Sequence, residues 1–185
     1  MLAFPEPGAD LDGAVALARE AGVREAGCWA LEPDDELGAR LTALGFQDGW
    51  QPHWMGIDPR ELREEPAHPV EESSECSREL PYWSDAHERA DGGVHHLVAH
   101  EDATLVGHTV LNVDGESAGL YDMGVLPRAR RRGYGRALTV AALARARDLG
   151  CASVTLNATA EGELLYRSVG FRSLGLGMTW WLFPS

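Results

Sequence analysis

The stretch that limits this chain most is residues 121–150, YDMGVLPRARRRGYGRALTVAALARARDLG. A short apolar run through Met123, Val125 and Leu126 is stopped by Pro127. Next come Arg130, Arg131, Arg132, Gly133, Tyr134 and Gly135, and then about four turns of Ala/Leu/Arg-rich sequence without a breaker until Gly150. The pattern predicts strand, tight loop, helix. Gly133 and Gly135 permit positive φ and close backbone approach. Free N–H groups of the loop and first helical turn can then point at one centre, where the helix dipole favours an anion. The five arginines from Arg128 to Arg136 add long-range attraction for a polyanion. Physically, the stretch is a diphosphate cradle.

Spacing separates the known cradles. A P-loop needs GxxxxGK followed by Ser or Thr, and this chain has no lysine. A dinucleotide loop needs a third glycine and an acid about twenty residues on, where this chain has Asn157 and Thr159. The Arg-x-x-Gly-x-Gly run after a strand ending Val-x-Pro resembles the coenzyme A loop of the GNAT N-acetyltransferase superfamily, with Val125, Pro127, Arg130, Gly133, Gly135 and Leu138 in register. A second motif agrees. Strand-like residues 153–157 precede a short helix ending Leu165-Tyr166-Arg167-Ser168-Val169-Gly170-Phe171, with Gly170 as its C′ residue. This is similar to the GNAT Leu-Tyr-x-x-x-Gly-Phe ending, and the resemblance spans residues 94–183.

The resemblance implies an α/β (α+β) fold with a mixed central sheet flanked by helices, and acetyl-CoA as acyl donor. It implies that Arg130, Arg131, Arg132, Gly133, Tyr134, Gly135 and Arg136 hold the diphosphate. The backbone of Met123 and Val125 would pair with the pantetheine arm like an added strand and offer the oxyanion a donor, and Asn157 could bond the same arm. Tyr166 would lie near the coenzyme sulfur as general acid.

Acyl transfer needs a neutral amine, although a free alkylamine has a pKa of about 10. Many relatives place a glutamate on the central strand nine or eleven positions before the loop arginine; here those positions hold Tyr121 and Gly119. Asp122 is adjacent but points to the other face unless a bulge re-aims it. Asp122, His108 and Tyr121 are thus the base candidates, acting through water. The missing glutamate also leaves open a non-catalytic acyl-CoA-binding sensor.

At 185 residues and 44% hydrophobic content, the chain is expected to be globular, with one ample core or two small ones. No apolar run reaches membrane-spanning length and no basic leader precedes an apolar core, so the expectation is a cytoplasmic protein without a membrane partner. Residues 1–100 carry 7 Arg against 21 Asp and Glu, a net of −14, and residues 101–185 carry 9 Arg against 8, a net of +1. Nucleic acid is a poor partner for such a chain, whereas a cationic small-molecule amine is attracted; the acidic surface equally aids solubility. A homodimer stays open. Cys28, Cys76 and Cys151 form no CxxC pair, so neither disulfide nor zinc framework is expected.

Residues 1–58 resemble the end of the same chain. Ala18-Arg19-Glu20-Ala21-Gly22 echoes Ala146-Arg147-Asp148-Leu149-Gly150. A short strand, an acidic helix start, a Gly-Phe ending (Gly45-Phe46, Gly170-Phe171) and Trp-bearing strands follow in both. The expectation is a truncated, non-catalytic GNAT-like repeat over 1–58, an acidic linker over 59–69 and a catalytic domain over 70–185. In the first copy Asp10 or Asp12 should cap a helix, where the second has its arginine loop. Such a unit buries little core alone, so it is expected to pack on the second or extend its sheet. Residues 78–90 read as helical, with Tyr82, Trp83 and His87 as acceptor-specificity candidates or core aromatics. His95, His96, His100 and His108 match no metal-ligand spacing, and no metal is expected. Residues 71–183 suggest β-α-β-β-β-α-β-α-β.

Overall fold

The computed structural model describes residues 2–3, 5, 8–73 and 93–183. It divides into two compact units. One takes the described residues up to Trp54 together with those from Leu174 onward, and the other takes those of Met55–Ser173.

The first unit contains β1 (Leu2–Ala3), α1 (Leu11–Glu20), β2 (Ala26–Ala30), α2 (Asp35–Ala43), β3 (Gln47–Asp48) and the last strand, β11 (Met178–Leu182). Its sheet has the order β1-β2-β11-β3. β11 runs antiparallel to β2, from Met178↔Ala30 to Leu182↔Ala26, and antiparallel to β3. Each helix opens on an aspartate. The Asp10 carboxylate accepts from the Gly13 N–H at 2.9 Å, and that of Asp34 from the Leu37 N–H at 2.8 Å. Leu11, Val15, Cys28, Leu41, Trp180 and Leu182 form the core. Gly38 makes room for the Trp180 indole, which a Cβ there would meet at 3.3 Å.

The second unit is built on β5 (Val70–Glu72), β6 (Val94–Glu101), β7 (Thr104–Asp114), β8 (Ser117–Val125), α3 (Tyr134–Asp148), β9 (Ser153–Ala158) and α4 (Ala160–Val169). β4 (His53–Ile57) and β10 (Arg172–Leu176), in which the chain passes from one unit to the other, complete a seven-stranded sheet of order β10-β4-β9-β8-β7-β6-β5. β5 to β8 form an antiparallel meander, and β8 pairs with β9 in parallel. The core gathers Leu138, Leu143 and Ala146 of α3 with Leu97, Val106, Leu111, Leu120 and Leu156 from the strands. Cys151 is buried there as a small apolar side chain.

A large mixed sheet with flanking helices agrees with the expected fold class. The units part from the boundaries 1–58, 59–69 and 70–185 in two places. The final strand belongs to the first unit, because β11 hydrogen-bonds to β2 and β3 and buries Trp180 among that unit's core residues. The segment 59–69 is packed rather than free: Leu62 joins the larger core, Glu61 bonds Arg172 at 2.8 Å, and Glu64 grips Arg136. The helix expected over 78–90, with Tyr82, Trp83 and His87, lies outside the described residues, as does Cys76.

Candidate active site

The site begins where β8 leaves its neighbours. Its register against β7 shifts between His108 and Val110, where Val110 faces Tyr121 but His108 faces Gly124. One extra residue is therefore accommodated on β8, and Asp122 takes it up at φ 48°. The Thr109 hydroxyl holds the irregularity by donating to the Tyr121 carbonyl at 3.0 Å. On the other edge, parallel pairing with β9 stops at Leu120↔Leu156, although β8 continues to Val125 and β9 to Ala158. The backbone edge of Met123–Val125 is thus left without a β9 partner. Across the gap, the Asn157 side-chain oxygen is buried and has no hydrogen-bond partner among the described residues, a state that costs free energy until a donor arrives.

Beyond Val125 the chain makes a single 3-10 turn, Pro127–Ala129, and enters the arginine loop. Arg131 has φ 61° and Gly133 φ 92°, so the backbone reverses twice before α3 starts at Tyr134. The first amide of α3 with a helical acceptor is Ala137, bonded to the Gly133 carbonyl at 3.0 Å. The N–H groups from Arg131 to Arg136 have no backbone acceptor among the described residues. Gly135 has a packing role, since a Cβ there would stand 3.2 Å from the Leu165 side chain of α4.

The arginines divide. Arg132 makes two bonds to the Glu101 carboxylate, one of them Nη1–Oε2 at 3.0 Å. Arg136 meets Glu64 at 2.8–3.1 Å and also bonds the Ser168 carbonyl and hydroxyl at 3.1 and 2.7 Å. Arg130 donates from Nε to the Val125 carbonyl at 3.0 Å, tying the loop to the end of β8. Arg131 is exposed on the loop. The expected phosphate role is therefore shared unevenly, for Arg132 and Arg136 already face carboxylates.

Tyr166 is 7% exposed, with its ring edge against Phe171 at 5.7 Å. Its Cε2 would lie 3.0 Å from a Cβ on Gly162, so only a residue without a side chain leaves the ring that space. Burial pushes the phenol up to about 12. Asp122 is exposed as a residue, yet partial desolvation raises its carboxyl above the ordinary aspartate value. His108 is buried, and its Nε2 lies 3.1 Å from where a Gly124 Cβ would be, beside the irregularity. Sequence reasoning missed three supports of the loop: His68, Glu64 and Glu101. Only their polar types were visible, because each reaches a partner more than thirty positions away.

The sequence pattern of the Acetyltransferase (GNAT) family matches residues 58–171, more than half of the chain. The chain belongs to the GNAT family. No curated protein sequence matches it significantly. Among solved structures it is similar to a GCN5-related N-acetyltransferase from Kribbella flavida, with a TM-score of 0.68 and 19% identity over 91% of this chain and 72% of that one. It is also similar to a conserved protein of unknown function from Staphylococcus epidermidis (TM-score 0.69, 16% identity, 100% of this chain and 84% of the other). A tandem GNAT protein from the clavulanic acid biosynthesis pathway gives a TM-score of 0.65 and 17% identity over 97% and 72%. At such identities the likeness concerns the fold. In this GNAT chain the loop 130–136 follows directly from the parted end of β8, and Asp122 and His108 stand at the irregularity above it in sequence.

Proposed function

We propose that this GNAT chain transfers an acetyl group from acetyl-CoA to a primary amine of a small molecule. The observation that carries the reading is the parting of β8 from β9 after Leu120 and Leu156, with the Asn157 acceptor left unsatisfied in the gap. The residues present suit the cofactor. Backbone amides of Met123–Val125 and the Asn157 oxygen match the amides of a pantetheine arm, and the free N–H groups of Arg131–Arg136 match a diphosphate, with Arg130 and Arg131 adding charge. Acetyl-CoA, when bound, supplies an acyl thioester open to attack by an amine.

The chain supplies positioning and proton control. A strand-like grip on the arm fixes the reacting end relative to Tyr166 and Asp122, which converts encounter into orientation. Tyr166 holds its proton at Oη through the neutral and alkaline range, because burial opposes the phenolate, and so acts as the acid for the departing sulfur. Asp122, with its carboxyl raised by desolvation, is the proton acceptor placed at the irregularity, and His108 is its neighbour in that role. On this reading residues 1–58 are a silent partial copy. α1-β2-α2-β3-β4 repeats the order α3-β9-α4-β10-β11, and both copies carry positive-φ glycines after their helices (Gly22 and Gly45, Gly150 and Gly170). In the first copy Asp10 places its own carboxylate on the helix N-terminus, where a phosphate would otherwise sit.

The test offers acetyl-CoA and a broad set of primary amines to the purified chain and follows free thiol. Release that depends on at least one amine supports the transferase. A second reading, a non-catalytic acyl-CoA sensor, draws on Gly119 and Tyr121. The Tyr121 ring lies against Gly119 and fills the side of β8 where a glutamate base would stand. Coenzyme A binding with no thiol release from any amine favours that alternative.

A further inference from the structure

We propose that His68 is a positioning residue for the cofactor loop; the proposal rests on the reading of residues 130–136 as a diphosphate site. His68 precedes β5, in the acidic segment 59–69 of the second unit, and three contacts bring it to the loop. Its Nε2–H donates to the Arg132 carbonyl at 2.8 Å. Its ring stacks on Tyr134, with centroids 4.3 Å apart and planes 27° from parallel. Its Nε2 also lies 3.2 Å from where a Cβ on Gly133 would be, so the imidazole covers the one residue of the turn that lacks a side chain.

The consequence is conformational. The Arg132 carbonyl belongs to the peptide that joins Arg132 to Gly133, and Gly133, at φ 92°, is the residue of the turn whose backbone is least restricted. That peptide can rotate, and rotation would exchange the Arg132 carbonyl for the Gly133 N–H at the anion centre. The bond from His68 fixes the Arg132 carbonyl on the side of the imidazole, so the following amides stay turned the other way, in the arrangement a diphosphate needs. Neighbouring contacts close the frame: Glu101 holds the Arg132 guanidinium, and Glu64 holds Arg136. The segment 59–69 thus acts as part of the site.

The test compares wild type, His68→Ala, His68→Phe and His68→Gln by calorimetry with coenzyme A and with pantetheine, which lacks the diphosphate. Amide hydrogen exchange of the ligand-free proteins is measured over residues 131–136. His68→Ala is expected to bind coenzyme A about tenfold more weakly, to bind pantetheine as wild type does, and to exchange its loop amides faster. Gln keeps a donor and should recover part of the loss. Phe keeps the stack on Tyr134 without the donor, so it folds and still shows the defect. Wild-type affinity and exchange in the Ala and Phe variants would overturn the proposal, as would equal losses for coenzyme A and pantetheine. A wild type that binds pantetheine but gains nothing from the diphosphate would overturn the reading of the loop itself.

Discussion

Tyr166 carries two separable consequences. In its proposed role as the acid for the departing sulfur it would be needed for the chemical step and not for holding the cofactor. Tyr166→Phe should therefore lower kcat about 100-fold with coenzyme A affinity unchanged, as steady-state rates and calorimetry would show. Its pKa has a stability consequence as well. The folded phenol titrates at about 12, whereas an unfolded tyrosine titrates at about 10. From pH 10 upward the unfolded chain loses this proton first, so stability falls by about 2–3 kcal/mol as pH approaches 12. Denaturant melts at pH 9 and pH 11.5 should show a smaller drop for the Phe variant than for wild type. The role proposed for Asp122 belongs to the opposite limb. Its raised carboxyl must be ionised to accept a proton, so kcat/KM should fall as pH drops through a value above the ordinary aspartate range. Asp122→Asn should remove that limb and lower the rate about 100-fold; an unchanged acid limb would move the role to His108.

At the level of the strands and the loop, Gly133 has the sharpest requirement. Alanine at φ 92° meets backbone strain, and its Cβ would press on the His68 ring. Gly133→Ala should cost about 1–2 kcal/mol in chemical denaturation and weaken coenzyme A binding more than pantetheine binding. The loop and its flanking elements were legible in the sequence because they are local: Pro127 ends a strand, two glycines open the turn, and Ala/Leu spacing runs on to Gly150. The irregularity at Asp122 was visible only as a condition, since nothing in residues 119–125 states how β7 will pair with them. His68 and Glu64 were illegible for a related reason. An acidic, proline-rich segment has the composition of a linker, and only the folded chain shows that Glu64 meets Arg136 and His68 meets Arg132.

The described residues form two main cores, and the two Trp-bearing strands β4 and β11 stand in different sheets. β4, from the first half of the sequence, stands beside β9, whereas β11, from the end, stands between β2 and β3. Both strands are short, apolar and Trp-bearing, so alternation fixes which face is buried and leaves the partner undecided. Trp180 is the test of that assignment. It is 1% exposed in the first unit's core, and Trp180→Ala should cost about 3–5 kcal/mol there. Amide exchange should quicken over residues 26–30 and 178–182, while coenzyme A affinity stays as in wild type. The proposed activity requires the parted strands and the arginine loop to act as one binding surface. A coenzyme A titration of the isotope-labelled protein, followed by the backbone amide resonances, tests this directly. Saturable shifts are expected at residues 123–125 and 131–136 together; shifts confined to other residues, or none at all, would contradict a shared binding surface.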